Sequence, residues 1–302
     1  MTTWTPLAQF LDERSVRTSA PAWQHPLTRS SSRASLRLGI EELVDTVTAL
    51  QRAEWLEDGV YLGPRSYGDV WEDLRSCAAR LGTAVPPAII SPIPARRQRI
   101  LGTDARPYLH LSSFFFARAP QAQRRFLLGR LLGPVADGGV TADSVYALLV
   151  DEGGLRTLAR RTLGPTLEVG LAPAAFAARL VLSRSHRVAE VNADRSGFVC
   201  AGDAQESARA LLRIALGVNP RVDPDAYLDQ LDQLRPRSPG RWAEAWASAP
   251  WTHKRIRAIS LFAHSQAGSR ALGHPPEDDA LSDAALDAAI DALLEVGPWN
   301  AS

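Results

Sequence analysis

Arg187-Val188-Ala189-Glu190-Val191-Asn192-Ala193-Asp194-Arg195-Ser196-Gly197 sets two carboxylates four residues apart. On a helix that spacing stacks them on one face. The stretch falls within a helix expected from Pro173 to Cys200, as one piece or a broken pair. Gly202 suits its stop, and Asp203-x-x-Glu206 reads as a capping box opening the next helix. That next helix turns Ala208, Leu211, Leu212 and Ile214 inward.

Outward from this stretch the pattern is mostly helical. Leu36, Ile40, Leu43, Val44, Val47 and Leu50 recur at helical spacing over Leu36–Ala53. Tyr67–Leu81 carries Val70, Trp71, Leu74, Cys77 and Ala78 on one stripe, with Gly82 as its stop. Ala88-Ile89-Ile90 reads as a short buried strand after Pro86-Pro87. The arginines at 96, 97 and 99 fall in a turn, and Pro107–Leu111 reads as a second strand running into Phe114-Phe115-Phe116. Helices are then expected over Gln121–Leu132, Ala142–Leu149, Leu155–Leu163, Pro224–Leu234, His253–Ser265 and Ser282–Val296. No repeat of fixed period is present.

The 302 residues suffice for one large domain or two moderate ones. A net charge of +1 excludes a global field drawing the chain to nucleic acid or acidic lipid. Lys254 is the only lysine among 34 basic residues, which reads first as coding bias toward arginine. Cys77 and Cys200 fit reduced, buried thiols better than a disulfide. The opening MTTWTPLAQFLDERS has no signal-peptide pattern, and no window approaches a membrane span. Cytoplasmic location is the expectation.

The Glu-x-x-Ala-Asp-Arg pattern at 190–195, preceded by Ser-Arg and followed by Ala-Gly-Asp and a new helix, resembles the CAAX prenyl protease and HtpX-type zinc metallopeptidases. Several other segments resemble that family in the same order. Arg80-Leu81-Gly82 with Pro86-Pro87-Ala88-Ile89-Ile90 resembles its helix-to-strand passage. His110-Leu111-Ser112 resembles the strand before its active-site helix, and Ala119-Pro120-Gln121 the start of that helix. Pro250-Trp251-Thr252-His253-Lys254-Arg255-Ile256-Arg257 is similar to its downstream "THPp…RI" segment. The resemblance spans roughly residues 70–265 and implies a zincin-like α+β fold, mostly helical, with a small sheet beside the active-site helix. It also implies that Glu190 is a zinc ligand and Asp194 a supporting carboxylate.

The chain departs from the family at the ligands. Where the resemblance places His-Glu-x-x-His, the sequence reads Gly129-Arg130-Leu131-Leu132-Gly133, and the downstream histidine becomes Ala249. Glycine has nothing to offer zinc, which takes nitrogen, sulfur or carboxylate donors. No histidine lies between His110 and His186 to rescue the site by a register slip. No metal or cofactor is therefore expected. Arg130 is expected to supply the missing positive charge by pairing with Glu190 or Asp194; the alternative is a local Arg187–Glu190 pair with Arg130 in solvent.

Other readings stay open at this level. His186 and Glu190, at i and i+4, are a weak metal pair. Arg96, Arg97, Arg99, Arg124 and Arg125 form a candidate basic patch, read as solvated surface without aromatic interleaving, so no nucleic-acid partner is expected. Leu286, Ile290 and Leu294 form an apolar stripe near the C-terminus. With Trp299 they are candidates for docking a partner, own-core packing being the default for the stripe. The division expected is an N-terminal arm over 1–35, a metallopeptidase-like domain over 36–275, and a C-terminal helix and tail over 276–302. The function expected is an inactive metallopeptidase-like scaffold binding an unidentified protein. An active zinc endopeptidase and a small-ligand-binding regulatory subunit are the alternatives.

Overall fold

The computed structural model describes residues 34–150, 186–217, 221–234 and 250–294. Helix α1 (Ala34–Glu57) leads through strand β1 (Val60–Tyr61) to α2 (Gly68–Leu81). Val70, Leu74, Cys77, Ala78 and Leu81 of α2 are buried on one stripe. Gly82 ends the helix in the left-handed conformation, at φ 65°. Strands β2 (Ala88–Ser91), β3 (Arg99–Thr103) and β4 (Arg106–Ser112) follow. The sheet order is β1-β2-β4-β3, with β2 and β4 parallel and the outer pairings antiparallel. The fold is thus a mostly helical α+β arrangement with a small mixed sheet.

Beyond the sheet come α3 (Ser113–Phe116), α4 (Gln121–Asp137) and α5 (Val140–Val150), then α6 over 186–201 and α7 (Ala204–Leu216). The chain continues with α8 (Pro224–Leu234), α9 (Thr252–Ala263), α10 (Gln266–Leu272) and α11 (Asp283–Leu294). Asp203 caps α7 by accepting from the Glu206 N–H at 2.9 Å. The capping box is only half formed, because the Glu206 carboxylate bonds Gln123 and Arg209. The sequence reading missed β1, β3 and α10. Strand β3 was hidden because Arg99 opens it and Gly102 sits within it at φ 115°. The helix expected at Leu155–Leu163 and residues 173–185 of the Pro173–Cys200 helix lie outside the described residues.

Helix α4 is the central element. Phe126, Leu127, Leu128 and Leu132 are buried on several of its sides, each worth roughly 1.5–3 kcal/mol relative to exposure. It packs on α2, α7 and the sheet, and crosses α6 at very short range. A Cβ on Gly129 would lie 2.6 Å from both Cβ and Sγ of Cys200. One on Gly133 would lie 2.9 Å from the Ser196 Oγ, and one on Gly197 2.6 Å from the Phe126 carbonyl. Three glycines are what let the two helices approach. This corrects the sequence reading: Gly129 and Gly133 face α6 instead of a ligand site.

At the C-terminal helix the default reading holds and the docking alternative does not. Leu286, Ile290 and Leu294 are buried in the same core cluster as α2, α4 and α9, so the stripe packs on its own chain and offers no docking face. Arg195 links this end of the fold: fully buried, it lies 5.3 Å over the Phe262 ring and donates to Asn192. Burial lowers its pKa to about 10, with Asp287 acting in the opposite direction. No helix among the described residues is long and apolar enough to cross a membrane.

Candidate functional site

Helix α6 presents Glu190 and Asp194 one turn apart, and two arginines from other helices close on them. Arg130 of α4 donates through Nη2 to Glu190 Oε2 at 2.6 Å, and its Nη1 lies 3.5 Å from Asp194 Oδ1. Arg255 of α9 grips Asp194 with both edges of its fork, Nε to Oδ2 and Nη2 to Oδ1, each at 2.7 Å. Its Nη1 stands 3.8 Å from Glu190 Oε2. The result is two anions and two cations joining three helices. The Asp194 side chain is 1% exposed, a depth at which only paired charge is tolerated.

Electrostatics follow from that packing. Burial, the largest influence, pushes the Glu190 carboxyl up; Arg130, Arg255 and His186 together overcome it and hold its pKa down at about 2. Burial likewise opposes the Arg255 charge, and the Asp194 carboxylate outweighs it, raising Arg255 above its usual value. Asp143 of α5 lacks such a direct partner. Burial, then the Glu190 anion, raises its pKa to about 7, with Arg130 acting against them.

His186 bridges the carboxylates loosely. Its Nε2 is 3.8 Å from Glu190 and its Nδ1 is 4.0 Å from Asp143. Its ring stacks on Tyr146 with centroids 3.8 Å apart, which fixes it against α5. Among the described residues no group of three His, Cys, Asp or Glu is arranged to hold a metal ion.

A cavity of about 590 Å³ opens beside this quartet, within the size range of ligand sites. Arg130, Glu190, His186, Trp251 and His253 are among the residues that line it. Strand β3 contributes Arg99 and Ile100. Leu109, which pairs with Ile100, sends its N–H to Pro87 on the far side. Ile100 therefore occupies a non-hydrogen-bonded pair, leaving its own N–H and C=O directed away from the sheet. Two residues on, the outward N–H of Gly102 is taken by Ser144 Oγ at 3.0 Å. The outer edge of β3 is thus closed at Gly102 by Ser144, and Ile100 beside it is buried, 6% exposed.

The donor set does not fit zinc. On α4 the residues lining the cavity are Leu127, Arg130, Leu131 and Pro134, and none of the four is a ligand type. The glycines at 129 and 133 point elsewhere, and guanidinium N–H groups already occupy oxygens of both carboxylates. Ala249 and Trp299 lie outside the described residues. Arg124 and Arg125 do not join a surface patch: Arg124 bonds the buried Asp73 at 2.8 Å and Arg125 bonds it at 3.0 Å.

Sequence reasoning missed Arg255, Asp143 and Tyr146. For Arg255 a signal existed: it begins the i, i+4, i+7 stripe completed by Ile259 and Phe262. A charge on a buried stripe demands a partner. Nothing in the sequence pointed to Asp143 or Tyr146. No family model, no curated protein and no solved structure matches the chain.

Proposed function

We propose that the chain is a catalytically inactive, zincin-like metallopeptidase relative that binds protein in its former cleft, as a scaffold or adaptor component in the cytoplasm. The observation that carries this reading is the Arg130 guanidinium seated against Glu190 and Asp194. Glu190 is the carboxylate that the resemblance makes a zinc ligand. A cation of the protein's own supplies the neutralising charge there, and it brings no water to activate.

The cavity beside it retains what an extended peptide needs. The Ile100 N–H and C=O point away from β4, and because the residue is 6% exposed, strand addition there requires that edge to be uncovered on binding. Ser144 closes the edge at Gly102, and the 3₁₀ turn Ala95–Arg97 precedes it at the other end. A bound peptide pairs across Ile100 with two backbone bonds and takes its remaining contacts from Tyr146, Tyr227 and Trp251. Binding of terminally blocked synthetic peptides, followed by fluorescence anisotropy, tests this. N-methylation scanned along a binding peptide is expected to abolish binding at one position and spare its neighbours. Uniform tolerance of methylation, or hydrolysis of the peptides, overturns the reading. The cavity volume also favours a second reading, a small-ligand regulatory site, for which thermal stabilisation by a small molecule and indifference to peptides are the expected signs.

A further inference from the structure

We infer, resting on the reading of the cavity as a binding site, that its occupant carries an organic cation, an ammonium or guanidinium group, met by the Asp143 carboxylate.

Asp143 stands in the first turn of α5 and lines the cavity. Its side chain is 26% exposed, and its one ion-pair contact among the described residues is His186 Nδ1 at 4.0 Å, beyond hydrogen-bond reach. Glu190 and Asp194, by contrast, are held by Arg130 at 2.6 Å and Arg255 at 2.7 Å respectively. Three carboxylates thus meet two guanidinium groups, and Asp143 is the one left without a fork. The charges that bear on it most are Glu190, Arg130, Asp137 and Asp104. Three acids to one base make its surroundings negative, and Arg130 is already committed to Glu190. The raised pKa of Asp143, set first by burial and then by Glu190, is what such an under-compensated charge produces.

The rest of the lining suits the same occupant. Tyr227 and Trp251 supply aromatic rings for a cation, and Leu131 and Ile214 supply apolar surface for its stem. Trp251 is 36% exposed, so solvent reaches it. A metal ion is the poorer occupant. It needs several ligands, and Glu190 and Asp194 already accept from guanidinium N–H groups. An organic cation needs one carboxylate together with aromatic and apolar surface.

An arginine or lysine side chain of a bound peptide and a free amine share this chemistry, so both are probed, at about pH 8 where Asp143 is ionised. Terminally blocked peptide sets with Arg, citrulline or Glu fixed at one position are compared by fluorescence anisotropy. The Arg set is expected to bind about tenfold tighter than the near-isosteric citrulline set, with the Glu set weakest. Asp143→Asn is expected to abolish the preference for Arg while citrulline peptides still bind. Butylguanidinium is titrated alone by calorimetry and against bound Arg peptide. Its binding alone, lost in Asp143→Asn, assigns the cation to a free amine; peptide binding that it cannot displace assigns the cation to a side chain. Equal binding of the Arg and citrulline sets sinks the cation inference and leaves a peptide groove standing. An Arg preference that survives Asp143→Asn sinks it too, since the cation is then met elsewhere. Failure of every peptide and of butylguanidinium to bind removes the binding site itself.

Discussion

Two buried aspartates in this fold are each gripped by a pair of arginines, and only the pair on Asp194 lines the cavity described above. Asp73 on α2 accepts from Gln121, Arg124 and Arg125, all on the first turns of α4. Its donors come from one stretch of chain, and Arg124 also reaches the exposed Asp69. The network staples the start of α4 to α2 and borders no cavity that strand β3 lines. Asp194 draws its donors from two separate helices, stands one turn from a second carboxylate, and backs a cavity. Arg–carboxylate chemistry alone does not mark function. Placement at a cavity, beside a second carboxylate, is what distinguishes the second cluster.

The sharpest way to break that contrast is Asp194→Asn. It leaves Arg255 buried with half its partner gone, and is expected to cost about 3–5 kcal/mol in denaturant unfolding. A cost below about 1 kcal/mol would put the two aspartates on a level. Arg130→Met is expected to cost about 2 kcal/mol at pH 7, since Arg255 at 3.8 Å and His186 still face Glu190.

The pH dependence of that second variant sharpens the comparison further. Glu190 titrates at about 2 in the fold against an ordinary 4.5. Its contribution is therefore present above 4.5 and lost as pH falls toward 2. The Arg130→Met chain is expected to lose that slope, with the two stabilities converging below pH 3. Parallel curves down to pH 2 would dissociate Arg130 from Glu190.

How much of this was legible beforehand follows the same division. The Glu190/Asp194 face lay in local spacing, whereas Arg130 as its partner came from the resemblance to metallopeptidases together with the demand that buried charge be paired. Pro224–Leu234 matched the described helix at its start and over its described length because its apolar period is strong. Strand β3 was not legible, since its role as an edge depends on pairing with a strand that follows it in the chain. Nor was the helix crossing: Gly129 and Gly133 read as vacated ligands, whereas contact with Cys200 and Ser196 sixty or more positions later accounts for them. Long-range approach leaves no trace in a single sequence beyond the glycine itself.

Asp73→Asn is expected to cost less than Asp194→Asn, about 1–2 kcal/mol, because Arg124 and Arg125 keep solvent access and Asp69 remains. The smallest effect is expected at Asp143. Its pKa rises from 3.8 to about 7 on folding, so stability falls as pH climbs through that window. Asp143→Asn should leave stability nearly unchanged below pH 4 and raise it by roughly 1 kcal/mol at pH 8, well short of the full shift because the Asp143 side chain is 26% exposed and screened by solvent, read from paired thermal melts. A variant equally stable at both pH values relative to the parent would show that Asp143 ionises freely in the fold.

Titration of zinc into the purified, chelator-treated chain, with binding followed by calorimetry and peptide hydrolysis assayed on the same sample, bears most directly on whether a guanidinium has taken the metal's place. The expected result is no stoichiometric zinc site and no cleavage. One zinc bound per chain, lost together with cleavage in Glu190→Gln, would contradict it.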